Sequence, residues 1–258
     1  MKKLVNIIGI SSLFLSLVAF LSLSFYSPVS LEDDETFFVN TQIISKTKFN
    51  LLSTYSPIFI GWSRTNFTPN GSVLKTRELF QESYEYVLDS LFISCIYLKK
   101  DSVQFVILSY DILLVTPELA FSVKKELLSR GISNVYFSAS HTHSSLGGYG
   151  KGLVSEIALG EFDQSIFDNI IDKTIVTVDK AILIQDTLRN ISYTEKKINN
   201  AINRLIKKDH VEERLRQVCF SSTAHIAVMS SLNIHPTFVS SKRNVISKDY
   251  PKIFSKEK

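Results

Sequence analysis

"VQFVILSYDILLVTPELAFSVKKELLSRGISNVYFSAS", Val103 to Ser140, decides the fold class. Val103 to Tyr110 is rich in β-branched and aromatic residues and reads as a strand. The spacing then predicts a helix over Pro117 to Arg130. Thr116 stands at its N-cap, Pro117 at its first helical position and Gly131 at its C-cap. Asn134 to Ser140 returns as a short apolar strand. Strand, helix and strand in so short a span make a βαβ unit with parallel strands and a right-handed crossover. Upstream, Leu91 to Leu98 is a second apolar run, and "KKDS" joins it to Val103, so the two are expected to form a hairpin. Downstream, a helix is expected over Gln164 to Ile184, a strand near Ser192, and another over Ala224 to Ile234. This alternation predicts an α/β domain: a mixed β-sheet with flanking helices.

The composition narrows the class. At 45% hydrophobic and 21% charged, the chain of 258 residues is too apolar for a disordered protein and long enough for one large domain or two small ones. Its net charge of +4 is modest. The basic run from Lys196 to Arg216 is interrupted by acidic residues and carries no interleaved aromatics, so it reads as a solvated, partly helical face and predicts no nucleic-acid partner. Cys95 and Cys219 sit in apolar runs without CxxC spacing, which argues against a cysteine zinc site. Buried free thiols are favoured over a single bridge between them.

The N-terminus suggests export. Met1-Lys2-Lys3 precedes Leu4 to Phe25, in which Asn6 is the only strongly polar residue. As a helix this stretch would span about 33 Å, enough to cross a bilayer. It is longer than the apolar region of a typical cleaved signal, and "SLSFYSPVS" is a poor cleavage site, so an anchor is favoured over a signal peptide. The lysines would keep the N-terminus in the cytoplasm and place the remainder outside, tethered to the membrane; cleavage would instead secrete it. The organisation expected is an anchor or signal over 1–30, a polar stalk over 31–56 and a folded domain over 57–258.

Function turns on "SASHTHSSLGGYG", Ser138 to Gly150, at the carboxyl end of the second strand of the βαβ unit. Ligands of open α/β sheets bind at such ends. In extended chain His141 and His143 point to one side, so both imidazoles can enter one pocket. Neutral imidazole is a common zinc ligand and also suits general acid–base work. The residue-level alternatives are a metal site and a polar loop. Ser145 stands where the dinuclear HxHxD pattern needs a carboxylate, and no GxxxxGK[ST] or GxGxxG phosphate loop occurs. Gly147 and Gly148 would allow close backbone approach. His235, in "LNIHPTF", also ends a predicted strand, so the two strand ends are expected to meet at one edge of the sheet. His225, ten residues earlier on a continuous strand, would lie too far away, and His210 reads as solvated surface.

With these residues in view, the chain resembles the N-terminal catalytic domain of the neutral/alkaline non-lysosomal ceramidases. The matches run in order: "IGWSRTNFTP" (Ile60 to Pro69), "VILSYDILLV" (Val106 to Val115), "SASHTHSSLGGYG", "NAINR" (Asn200 to Arg204), "LNIHPTF", and "VISKDYP" (Val245 to Pro251). The resemblance implies a zinc-dependent amidohydrolase that cleaves N-acylsphingosine, a lipid amide, to a fatty acid and a sphingoid base. It implies that His141 and His235 ligate Zn2+, and that His143 and Arg204 contact substrate or polarise its carbonyl. Asp111 is expected either to orient a ligand histidine or to cap its strand. The family's glutamate and tyrosine ligands and its serine lie well beyond the HPT motif, whereas this chain ends at Lys258. The domain is therefore expected to be an incomplete version of the ceramidase fold. It is either inactive alone, completed by a separately encoded C-terminal half, or a non-enzymatic, membrane-tethered remnant that binds a partner.

Overall fold

The structure is a computed structural model that describes residues 12–18, 35–46, 55–70, 83–198, 214–239 and 243–251. The chain divides into two compact units, Met1–Leu51 and Leu52–Lys258. In the first, residues 12–18 are helical, and helix α1 (Glu35–Lys46) occupies the predicted stalk. Among the described residues no helix is long and apolar enough to cross a membrane. Most of Leu4 to Phe25 lies outside them.

The second unit holds strands β1 (Phe59–Asn66), β2 (Tyr86–Val87), β3 (Phe92–Lys100), β4 (Val103–Tyr110), β5 (Asn134–Ala139), β6 (Asp186–Lys197), β7 (Arg214–Ser222), β8 (Ile226–Ser231) and β9 (Val245–Ile246). Its helices are α2 (Pro117–Leu128), α3 (Leu153–Leu159) and α4 (Gln164–Leu183). Seven strands form one mixed sheet in the order β5-β4-β3-β1-β6-β7-β8, and β2 pairs with β9 in parallel. β3 and β4 make the expected hairpin, with Ile93 opposite Tyr110, and β4 and β5 the expected parallel pair, with Tyr110 beside Ala139.

Alternation along the strands explains the main core. Ile93, Cys95 and Tyr97 of β3 share a face with Val106, Leu108 and Tyr110 of β4. The apolar stripe of α2 (Leu119, Val123 and Leu127) joins them, as do Phe167, Ile170, Val178 and Ala181 of α4. Thr116 caps α2 by accepting from Leu119 N, and Asp163 caps α4 by accepting from Ser165 N. α2 ends at Leu128, two residues before its expected end, and Gly131 then takes φ 75°, a conformation suited to glycine.

Strands β5, β4, β3 and β1 join β6 to β8 through two residue pairs, Phe59 with Thr187 and Ile60 with Asp186. Beyond that narrow joint, Phe220, Ala227, Val218 and Met229 cluster with Ile60, Ile96 and Leu98. The three-strand blade β6 to β8 thus packs back on the sheet face opposite the helices. β7 is an addition to the sequence reading. Lys196 and Lys197 end β6, Arg214 to Arg216 begin β7, and Lys196 pairs with Leu215, so the described ends of the basic run are strands and not a helix. The stretch between them, with Arg204 and His210, lies outside the described residues.

Candidate metal centre

The two histidine-bearing segments leave strands at opposite edges of the sheet, β5 and β8. In a flat sheet six interstrand spacings would part those edges by roughly 29 Å, whereas four extended residues reach at most about 14 Å. The folded-back blade removes that distance. The expectation that both strand ends lie at one edge is therefore corrected: the ends belong to opposite edges that the blade brings together.

His141, His143 and His235 converge, with their nearest ring nitrogens all within 4.8 Å of one another. The ring centroids lie 5.2 Å apart for His141–His143, 5.2 Å for His141–His235 and 4.6 Å for His143–His235. His141 Nδ1 is 2.8 Å from the Leu113 carbonyl. A carbonyl only accepts, so Nδ1 carries the proton and Nε2 presents its lone pair. Nε2 of His143 lies 2.6 Å from Nε2 of His235, so one donates to the other. An all-imidazole set of this kind suits zinc and other first-row transition metals. His141 and His235 are solvent-exposed and His143 is half-buried, leaving room for a ligand.

The loop bearing the first pair is held from beneath. Ser140 N donates to Tyr110 O, extending the β4–β5 pairing by one residue, and His141 then takes φ 61°. From Ser144 to Gly150 every residue is buried. A Cβ on Gly150 would come within 2.6 Å of Leu159 Cδ1, so here glycine serves packing against α3. The Tyr149 hydroxyl donates to Leu114 O at 3.1 Å and braces the turn whose neighbouring carbonyl orients His141. Burial pushes the Tyr149 phenol up, keeping it a donor.

Asp111 lies at the head of that turn. Its carboxylate accepts from Phe92 N at 2.9 Å, while the ring N–H of His141 goes to Leu113. Burial pushes the Asp111 carboxyl up to about 6, against lowering by the Phe92 N–H and by the cations Lys248 and Arg64. Both cations lie over the Phe92 ring, at 4.8 Å and 3.6 Å from its centroid.

Sequence reasoning assigned no role to several residues that shape the site: the Leu113 carbonyl, Tyr149, Asp89, Asp249 and Tyr250. "VISKDYP" was the available signal for the last two. In the fold, Ser247 N donates to Ser144 O and Thr142 Oγ1 to Ser247 O, each at 2.8 Å. Asp89 accepts from Ser247 Oγ at 2.7 Å and from Lys248 N at 2.9 Å. His225 stays out of the cluster, its ring edge-on to Trp62 at 6.4 Å.

A histidine cluster beyond strand ends of a mixed sheet, with helices on one face, defines an α/β domain with three side chains that could hold a metal ion. Its fold is that of the neutral ceramidases. Over 75% of its length the chain superposes, at a TM-score of 0.67 and 17% identity, on a neutral ceramidase from Pseudomonas aeruginosa. It matches a ceramidase complexed with C2 at the same TM-score and 18% identity. The chain spans about a third of the length of each, 34%. No family model and no curated protein matches it.

Proposed function

We propose that this domain is a metal-dependent amidohydrolase unit of the neutral ceramidase type, acting on the amide bond of N-acylsphingosine-like lipids. The observation that carries the reading is the three-histidine cluster on a ceramidase-like fold. The donor set fits zinc: three neutral imidazoles are a known catalytic arrangement that leaves a coordination position open. Zinc bound there would supply a Lewis acid and a water acidified toward neutral pH. His141 is pre-set for ligation by its Nδ1–H bond to Leu113 O. His143 takes the third ligand position in this reading, in place of the substrate contact that the resemblance implies, because its Nε2 lies 2.6 Å from that of His235 and the three rings cluster. Arg204 keeps the role of steadying the carbonyl oxygen as negative charge develops on it. Leu4 to Phe25 is the feature that supports an extracytoplasmic setting in this reading.

The test is metal content and hydrolysis on the full chain. One equivalent of zinc is expected after loading and desalting, with affinity falling at least tenfold in His141→Ala, His143→Ala and His235→Ala. Release of fatty acid from N-acylsphingosine is expected with the zinc-loaded protein. Protein that retains no zinc refutes the reading. Zinc retention with no hydrolysis favours a partner-binding module.

A further inference from the structure

The two loops that carry the histidines are secured unequally. The loop of His141 and His143 runs into a buried stretch and is fixed by the core beneath it. The segment bearing His235 is exposed or half-buried at every residue but Pro236, and Thr237 N donating to His235 O at 3.0 Å is a purely local contact. Left to itself such a segment would sample many conformations, and a ligand on it would be poorly aimed.

Two adjacent residues from the end of the described chain grip it on both sides of His235. Ahead of the histidine, the Tyr250 hydroxyl sits 2.7 Å from Ile234 O and 3.4 Å from Leu232 O, able to donate to either. Behind it, the Asp249 carboxylate accepts from Val239 N at 2.8 Å and Phe238 N at 3.3 Å. Asp249 also accepts from Tyr250 N at 2.6 Å, which ties the two grips together, and the Tyr250 ring meets Phe238 edge-on at 5.8 Å. Asp249 is buried and holds φ 60°, a backbone state that Asp and Asn tolerate better than most residues. Two residues earlier, Ser247 is bonded to Thr142 and Ser144, on either side of His143. One short strap therefore touches both histidine loops.

We infer that Asp249 and Tyr250 are positioning residues of the metal centre, setting the distance of His235 from the His141–His143 pair. The inference rests on the reading of the three histidines as a metal site. Residues that hold metal ligands in place typically change metal affinity by about 10- to 100-fold when altered, and that is the effect expected here.

The experiment compares the full chain with Asp249→Asn and Tyr250→Phe. Asparagine keeps the backbone tolerance but loses the charge and one acceptor oxygen. Phenylalanine keeps the ring packing and loses only the hydroxyl. Zinc affinity is read by competition with a chromophoric chelator, and amide exchange over 232–239 is read by mass spectrometry on metal-free protein. Asp249→Asn is expected to weaken zinc at least tenfold and Tyr250→Phe by a smaller factor. In both, exchange is expected to accelerate at 232–239 and stay unchanged in β3 and β4. Lower melting temperatures with zinc affinity within twofold of the parent would mean a merely structural role and would overturn the inference. Should Asp249→Asn fail to fold, Tyr250→Phe decides by the same two readouts. A parent chain that binds no zinc sinks the functional reading and this inference together. A parent that binds zinc beside variants that bind it equally well sinks the inference alone.

Discussion

Gly61→Ala is the sharpest test of how the sheet and helices fit. A Cβ on Gly61 would lie 1.8 Å from Ala181 O, 2.8 Å from Ala181 C and 3.3 Å from Gln185 Cα. Ordinary contact begins near 3.4 Å, so the end of α4 would have to withdraw by about 1.6 Å. All three obstructing atoms are backbone, so no rotamer change relieves the clash. Withdrawal would also strain the bond from Ser63 Oγ to Thr177 O and loosen Val178 and Ala181 against the core. Overpacking of this kind costs about 1–3 kcal/mol and sometimes more, and the rigid obstruction points to the upper end, about 3 kcal/mol. With a urea slope of about 2 kcal/mol per molar, the midpoint should fall by about 1.5 M. Trp62, the single tryptophan and the next residue along, provides the fluorescence signal. The sign is diagnostic, because glycine is otherwise a poor strand residue and alanine in open space would stabilise. A midpoint equal to or above that of the parent would refute the close approach of α4 to β1.

Two further outcomes follow from the turn behind His141. The rise of the Asp111 carboxyl from 3.8 to about 6, at about 1.4 kcal/mol per pH unit, corresponds to about 3 kcal/mol. Because the folded state holds this proton more tightly, the contribution is full below pH 3.8 and is lost as pH rises through about 6. Asp111→Asn should abolish that part of the pH dependence, and urea midpoints from pH 4 to 8 that keep the parent's slope would contradict the assignment. Tyr149→Phe removes the hydroxyl between Leu114 O and Leu114 N and should cost about 1–3 kcal/mol in thermal unfolding. It should also weaken zinc several-fold through the Leu113 carbonyl; undiminished affinity in the chelator assay would exclude that link.

The parts of the fold that were legible in the sequence are those specified locally. β4, α2 and β5 follow one another with a threonine cap and a terminal glycine between them, so each boundary had its own chemical mark. β7 had none. "RLRQVCFSS" opens on charge and is only half-buried along most of its length, so neither clean alternation nor an apolar run announced it. At the site, imidazoles at strand ends were legible because histidine is chemically distinctive. The groups that aim them were not: a carbonyl such as that of Leu113 has no signature in sequence, and Ser247 meets Thr142 across 105 positions. Nor does any residue pattern reveal that a two-pair joint lets one sheet edge fold over to the other.

That joint also bears on how the centre would load. His141 arrives with its proton committed to Leu113 O, so its ligating nitrogen is ready before any ion is present. His143 and His235 instead face each other through Nε2 at 2.6 Å and hold one proton between them. A cation would have both lone pairs available only if that proton moved to Nδ1 of its own ring, the tautomer His141 already holds, and the two rings parted. Loading would therefore couple a change of tautomer to a small opening between two loops. The core fixes one loop, and the Asp249–Tyr250 grip limits how far the other can open. A metal site made this way would owe its affinity to the hydrogen bonds behind the imidazoles as much as to the imidazoles themselves.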